Sequence, residues 1–121
     1  MARVLVVDDE PDIVLFAQVN LELNGHEVRT AADGEQAMAA VEEERPDAMV
    51  LDVMIPKMDG FEVCRTLHND PKTSHIKIVM LTALNRKIDM DAAKAAGAAD
   101  YVIKPFDTRK LIKKIQQLVR P

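Results

Sequence analysis

The chain has 121 residues, 48% hydrophobic and 30% charged, without low-complexity tracts or internal repeats, the balance of one ordinary globular domain rather than a disordered or fibrous chain. A net charge of −4 and a pI near 5.3 argue against a general electrostatic grip on nucleic acid. Cys64 is the only cysteine, so no internal disulfide can form, and no apolar segment is long enough to span a bilayer; a reducing cytoplasm is the expected compartment, with no membrane partner.

The first apolar run, RVLVVD from Arg3 to Asp8, reads as a strand and ends against three adjacent acids, Asp8, Asp9 and Glu10. Pro11 suits the first turn of a helix, where acids are favoured. That helix carries more apolar residues than one stripe needs: Ile13, Val14, Leu15, Phe16, Val19, Leu21 and Leu23. Gly25 stands where it would close in a left-handed residue. EVRTA, Glu27 to Ala31, is the second strand, and Asp33 with Gln36 resembles a capping box opening the second helix.

AMVLD, Ala48 to Asp52, is the third strand, and the helical pattern after it contains Cys64, read as a small core residue. IKIVMLT, Ile76 to Thr82, is the fourth, followed by a helix that Gly97 would close. YVI, Tyr101 to Ile103, is the fifth. Asp107 can cap the last helix, whose apolar stripe is Leu111, Ile112, Ile115, Leu118 and Val119. Lys104, Arg109, Lys110, Lys113, Lys114 and Arg120 make this end basic, either a surface for an acidic partner or a solvated helix face.

Strand and helix alternate five times, and several strands are almost continuously apolar, as strands covered on both faces are. The architecture expected is a doubly wound α/β domain over 1–121: a (βα)5 three-layer sandwich around a parallel sheet with right-handed crossovers. Ligands of such sheets bind beyond the carboxyl ends of the strands. Asp8 and Asp9 end the first strand, Asp52 the third and Thr82 the fourth, and Lys104 follows the fifth, so polar groups converge on one edge.

Three carboxylates in one cleft need a positive counterpart. Mg²⁺ takes oxygen ligands and joins carboxylates to a phosphate. A helix N-terminus explains one acid but not Asp52 at the same edge. Lys104 beside Pro105 suits a phosphoryl oxygen, and the Thr82 hydroxyl can donate to another. The glycines Gly25, Gly34, Gly60 and Gly97 form neither G-x-G-x-x-G nor a P-loop, so the phosphoryl group is expected to arrive on another molecule and to be taken by a side chain.

VVDDE at Val6 to Glu10, LDVMIPKMDG at Leu51 to Gly60, MLTA at Met80 to Ala83 and DYVIKPF at Asp100 to Phe106 together resemble the receiver domain of two-component response regulators, over essentially the whole chain. The resemblance implies a flavodoxin-like five-stranded parallel sheet of order 2-1-3-4-5. It implies that Asp52 accepts a phosphoryl group from a histidine kinase or histidine phosphotransfer protein. Asp9, Asp52 and the backbone carbonyl of Met54 would bind Mg²⁺, with Asp8 acting through water. Lys104 would pair with the phosphoryl oxygens, and the Lys104–Pro105 peptide would be cis. Thr82 and Tyr101 would switch the face of the fourth helix, fifth strand and fifth helix to control an output domain or a downstream protein.

For the first helix, the residues alone favour a helix wedged between the sheet and its neighbours; family resemblance implies that its start, around Ile13 and Phe16, helps to dock the phosphohistidine partner. Met54 and Leu84 stand where many relatives carry polar groups near the attacking water, and are expected to slow loss of the phosphoryl group. Lys110, Ala99 and Asp100 depart from the usual salt-bridged dimer face, so the expectation is a monomer or a weak phosphorylation-dependent dimer, freestanding or part of a longer regulator. The phosphotransfer is self-catalysed, as is autodephosphorylation, and the protein is not expected to be an enzyme. A metal-dependent phosphatase of similar nucleophile fits less well, because Met54 replaces its second aspartate. A phosphorylation-independent scaffold fits less well because the acids, Thr82 and Lys104 are all present.

Overall fold

In the computed structural model, which describes residues 2–119, five strands and five helices alternate. The strands are β1 (Arg3–Val7), β2 (Glu27–Ala31), β3 (Ala48–Leu51), β4 (Lys77–Thr82) and β5 (Asp100–Ile103). The helices are α1 (Pro11–Leu23), α2 (Gly34–Glu43), α3 (Gly60–Asn69), α4 (Lys87–Ala95) and α5 (Thr108–Leu118). All strands are parallel, in the order β2-β1-β3-β4-β5. Arg120, the last of the basic residues, lies outside the described residues.

Strand side chains alternate between two cores, as a period of two requires. Leu5, Val7, Met49, Leu51, Ile78 and Met80 face one way, against Ala37 and Val41 of α2, Val63, Cys64 and Leu67 of α3 and Ala93 of α4. Val4, Val6, Val50, Val79 and Leu81 face the other, against Ala17 and Leu21 of α1 and Leu111, Ile112 and Ile115 of α5. The buried Cys64 is part of the first core; burial pushes its thiol up to about 11, as suits a packing residue.

The helix boundaries follow local chemistry. Asp33 accepts from the Gln36 amide at 2.8 Å, while the Gln36 side chain returns to the Ala32 amide, one residue before the usual box partner. Asp107 accepts from the Arg109 amide. Gly25 (φ 87°) and Gly97 (φ 101°) adopt the left-handed conformation that ends a helix.

Register places the polar residues. Val7 of β1 pairs with Leu51 of β3, so Asp8 and Asp52 leave the sheet side by side. The ladder continues one residue past each strand: the Asp52 amide donates to Val7, and the Lys104 amide to Thr82, both at 2.9 Å.

Candidate functional site

At the carboxyl ends of β1, β3 and β5, the Lys104 ammonium sits among three carboxylates. Its Nζ is 2.8 Å from Asp8 Oδ2, 2.9 Å from Glu10 Oε1 and 3.0 Å from Asp52 Oδ2. Asp8 and Asp52 are buried, at 2% and 5% exposure. Three acids against one ammonium leave the cleft net negative. Burial raises the Asp8 carboxyl above its ordinary value, while the neighbouring Lys104 ammonium opposes the shift. Burial alone would lower Lys104, yet the carboxylates of Asp8, Glu10 and Asp52 around it outweigh burial and hold it raised, fully protonated.

Each carboxylate is held by its own loop. Asp8 Oδ1 accepts from the Glu10 amide at 2.9 Å, and Asp52 Oδ1 from the Met54 amide at 3.1 Å. Asp52 Oδ2 is left for Lys104. The loop after Asp52 turns back through Gly60, where an added Cβ would lie 2.5 Å from the Asp52 carbonyl oxygen. Only glycine lets α3 begin this close to the end of β3.

The Leu84 peptide joins the two residues expected to switch. Thr82, fully buried, accepts from the Leu84 amide at 3.3 Å, and the Tyr101 hydroxyl donates to the Leu84 carbonyl at 2.7 Å. Burial raises the Tyr101 phenol. The Lys104–Pro105 peptide is cis, as the resemblance implies.

Of the expected site residues, Asp8, Asp52 and Lys104 are brought into contact. Asp9 is exposed, and the acids whose oxygens lie within 4.8 Å of one another are Asp8, Glu10 and Asp52. The Met54 side chain is exposed and its amide touches Asp52. Sequence reading assigned no role to Glu10; its signal was the third acid of DDE. The donor set suits a hard cation: all-oxygen, net negative, and including a buried Asp8 Oδ2 whose contact to Lys104 is not aligned as a hydrogen bond.

A second surface lies beside the cleft. Leu15, Phe16, Val19 and Leu23 of α1 are exposed, whereas Ile13 and Val14 are half-buried, so the helix is not wedged on all sides. Phe16 meets Phe106, in the loop after β5, edge to face at 6.3 Å.

Fold and cleft together define a doubly wound α/β protein with an acidic, lysine-capped site at the strand ends. The chain belongs to the response regulator receiver domain family, whose model matches residues 4–116. It is 40% identical, over 99% of its length, to the DNA-binding dual master transcriptional regulator RpaA of Synechocystis sp. (strain PCC 6803), covering 50% of that protein. It is 44% identical, over 98% of its length, to the alkaline phosphatase synthesis transcriptional regulatory protein PhoP of Bacillus subtilis, covering 48%. The chain thus spans about half the length of these curated relatives. Among solved structures, a putative response regulator from Chloroflexus aurantiacus superposes with a TM-score of 0.93 at 33% identity, covering 99% of this chain and 98% of that one. The chemotaxis response regulator CheY4 of Vibrio cholerae gives 0.91 at 36%, covering 98% of both.

Proposed function

We propose that this domain is a phosphorylation-driven signalling switch in which Asp52 takes a phosphoryl group from a phosphohistidine on a histidine kinase or histidine phosphotransfer protein. One Asp52 carboxylate oxygen attacks phosphorus. The P–O bond forms as the P–N bond breaks, and the imidazole leaves with that electron pair and takes a proton from solvent. The observation that carries the reading is the 3.0 Å contact between Lys104 Nζ and Asp52 Oδ2, beside the buried Asp8.

Lys104 orients Asp52 and donates to the phosphoryl oxygens. Asp9, Asp52 and the Met54 backbone carbonyl are the proposed holders of Mg²⁺, with Asp8 acting through water. When bound, the ion offsets charge on the transferring group. Thr82 turns its hydroxyl toward a phosphoryl oxygen and so disturbs the Leu84 peptide that it shares with Tyr101; the shift passes to the face of α4, β5 and α5. The existing bonds of both residues to Leu84 support that route.

The domain is a substrate and switch rather than an enzyme, with self-catalysed phosphotransfer and autodephosphorylation. It works in the cytoplasm as a single receiver domain, a monomer or a weak phosphorylation-dependent dimer, and controls an output domain or a downstream protein without touching nucleic acid itself. No helix among the described residues is long and apolar enough to cross a membrane.

The test is intact mass after incubation with Mg²⁺ and acetyl phosphate, beside Asp52→Ala and a chelated control. The expected result is one added phosphoryl group that needs both Mg²⁺ and Asp52. No addition from either acetyl phosphate or a phosphohistidine donor would sink the reading in favour of a scaffold.

A further inference from the structure

An ammonium has three N–H donors. Lys104 faces three carboxylate oxygens, at 2.8, 2.9 and 3.0 Å, and the two aligned as hydrogen bonds are those of Glu10 and Asp52, so a phosphoryl oxygen added to Asp52 meets Glu10 as its competitor for the ammonium. The three are not equally free. The Asp8 and Asp52 side chains are 1% and 6% exposed, and Asp52 is itself the proposed acceptor. The Glu10 side chain is 60% exposed, so its carboxylate can be taken up by water.

Glu10 also forgoes a local role. It occupies the N-cap position of α1, yet its side chain makes no capping bond and reaches Lys104 instead, 94 residues away. Its carboxylate thus occupies a donor of Lys104 in the way a phosphoryl oxygen would.

We propose that Glu10 is a latch on the receiver site: its carboxylate engages Lys104 in the unphosphorylated protein, competes with the incoming phosphoryl group, and swings into solvent when Asp52 is modified. This deepens the proposed function and rests on Asp52 being the acceptor. Glu10 is a positioning residue acting through Lys104. A partly exposed ion pair sets the scale of the competition, so releasing it favours the loaded form by roughly 2- to 5-fold.

The test compares wild type with Glu10→Gln and Glu10→Asp at saturating Mg²⁺, following the rate of phosphoryl gain from acetyl phosphate by intact mass. Asp keeps the charge but is one methylene shorter and cannot hold Lys104 at the same reach. The latch predicts that both variants load roughly 2- to 5-fold faster. Acceleration in Glu10→Gln alone would overturn it in favour of a net-charge effect, and equal rates in all three would overturn it outright. If wild type gains no phosphoryl group from acetyl phosphate or from a phosphohistidine donor, the receiver reading fails and the latch with it.

A second readout does not depend on turnover: the Glu10 side-chain carboxyl carbon, followed by NMR. The signal should keep its Lys104-bound position with Mg²⁺ alone and move to that of a solvated carboxylate when beryllofluoride, a phosphoryl mimic, is added. A shift complete with Mg²⁺ alone would make Glu10 a metal-side group, and no shift with beryllofluoride would leave it engaged. Either result overturns the latch.

Discussion

Thr82 and Tyr101 bind opposite ends of a single residue's backbone: the threonine oxygen accepts from the Leu84 N–H, and the tyrosine hydroxyl donates to the Leu84 C=O. Two side chains from neighbouring strands are thereby tied to one short segment between β4 and α4. Removing the tyrosine hydroxyl in Tyr101→Phe should cost about 1 kcal/mol of stability, read by urea unfolding. The larger effect is expected on coupling: backbone amide shifts in α4 caused by beryllofluoride should shrink in Tyr101→Phe while Asp52 still takes up a phosphoryl group. Undiminished shifts would remove Tyr101 from the switch.

Lys104 and Asp8 should move stability in opposite directions. Lys104→Met leaves buried Asp8 and Asp52 without their cation and should cost about 3 kcal/mol in the absence of divalent metal. Asp8→Asn removes a carboxylate whose charged form burial disfavours, and should add about 1 kcal/mol at pH 7. A carboxyl raised in the fold is equally protonated in both states below its ordinary value, so this gain should vanish below about pH 4. Urea titrations at both pH values check the pair, and a destabilised Asp8→Asn at pH 7 would contradict the charge argument.

His26 makes a separate prediction. The imidazole is buried, its Nδ1 accepts from the Ala2 amide at 3.2 Å, and burial lowers its protonation below the ordinary value. The neutral form is therefore favoured in the fold. Above about pH 6.5 it costs nothing; as pH falls below that, the unfolded chain binds a proton that the native state resists, and stability drops by at most about 1.4 kcal/mol per pH unit. His26→Gln should flatten the fall in melting temperature between pH 7 and 5.5.

The exposed aromatic edge of α1 can be separated from the chemistry. Phe16→Ala should leave phosphoryl gain from acetyl phosphate unchanged while slowing transfer from a phosphohistidine protein by about tenfold, the scale of a moderate interface contact. Equal transfer rates would show that the partner docks elsewhere.

Met54 and Leu84 should govern how long the phosphoryl group persists. Met54 is exposed and its amide holds Asp52, while Leu84 is half-buried against the core. Polar groups in Met54→Asn with Leu84→Glu would help orient an attacking water, so the phosphorylated form should decay several-fold faster by intact mass. A lifetime unchanged or longer would refute the role.

The strands were legible because apolar runs ended in abrupt polar residues, and those same residues form most of the cleft; the strand order came from the family resemblance alone. Asp8, Asp52 and Lys104 stood out as charges placed straight after apolar strands. Glu10 did not, because whether a flexible side chain caps its own helix or reaches across to β5 is decided by tertiary geometry, not by local pattern. The uncovered side of α1 was hidden for a related reason: periodicity counts apolar residues but says nothing of what lies over them. Gln36 shows the limit at single-bond scale, its capping partner displaced to Ala32 by the detailed path of the turn.

The lysine that balances the acids of β1 comes from the far end of the chain, just beyond an edge strand, with β3 and β4 between them in the sheet. During synthesis, therefore, the acids emerge from the ribosome well before their counterion. A nascent chain that has not yet emerged through β5 holds Asp8 and Asp52 without Lys104, and the competent site is a late product of biogenesis. Fragments that stop short of β5 lack Lys104, because the last strand to be synthesised also brings the charge that completes the site.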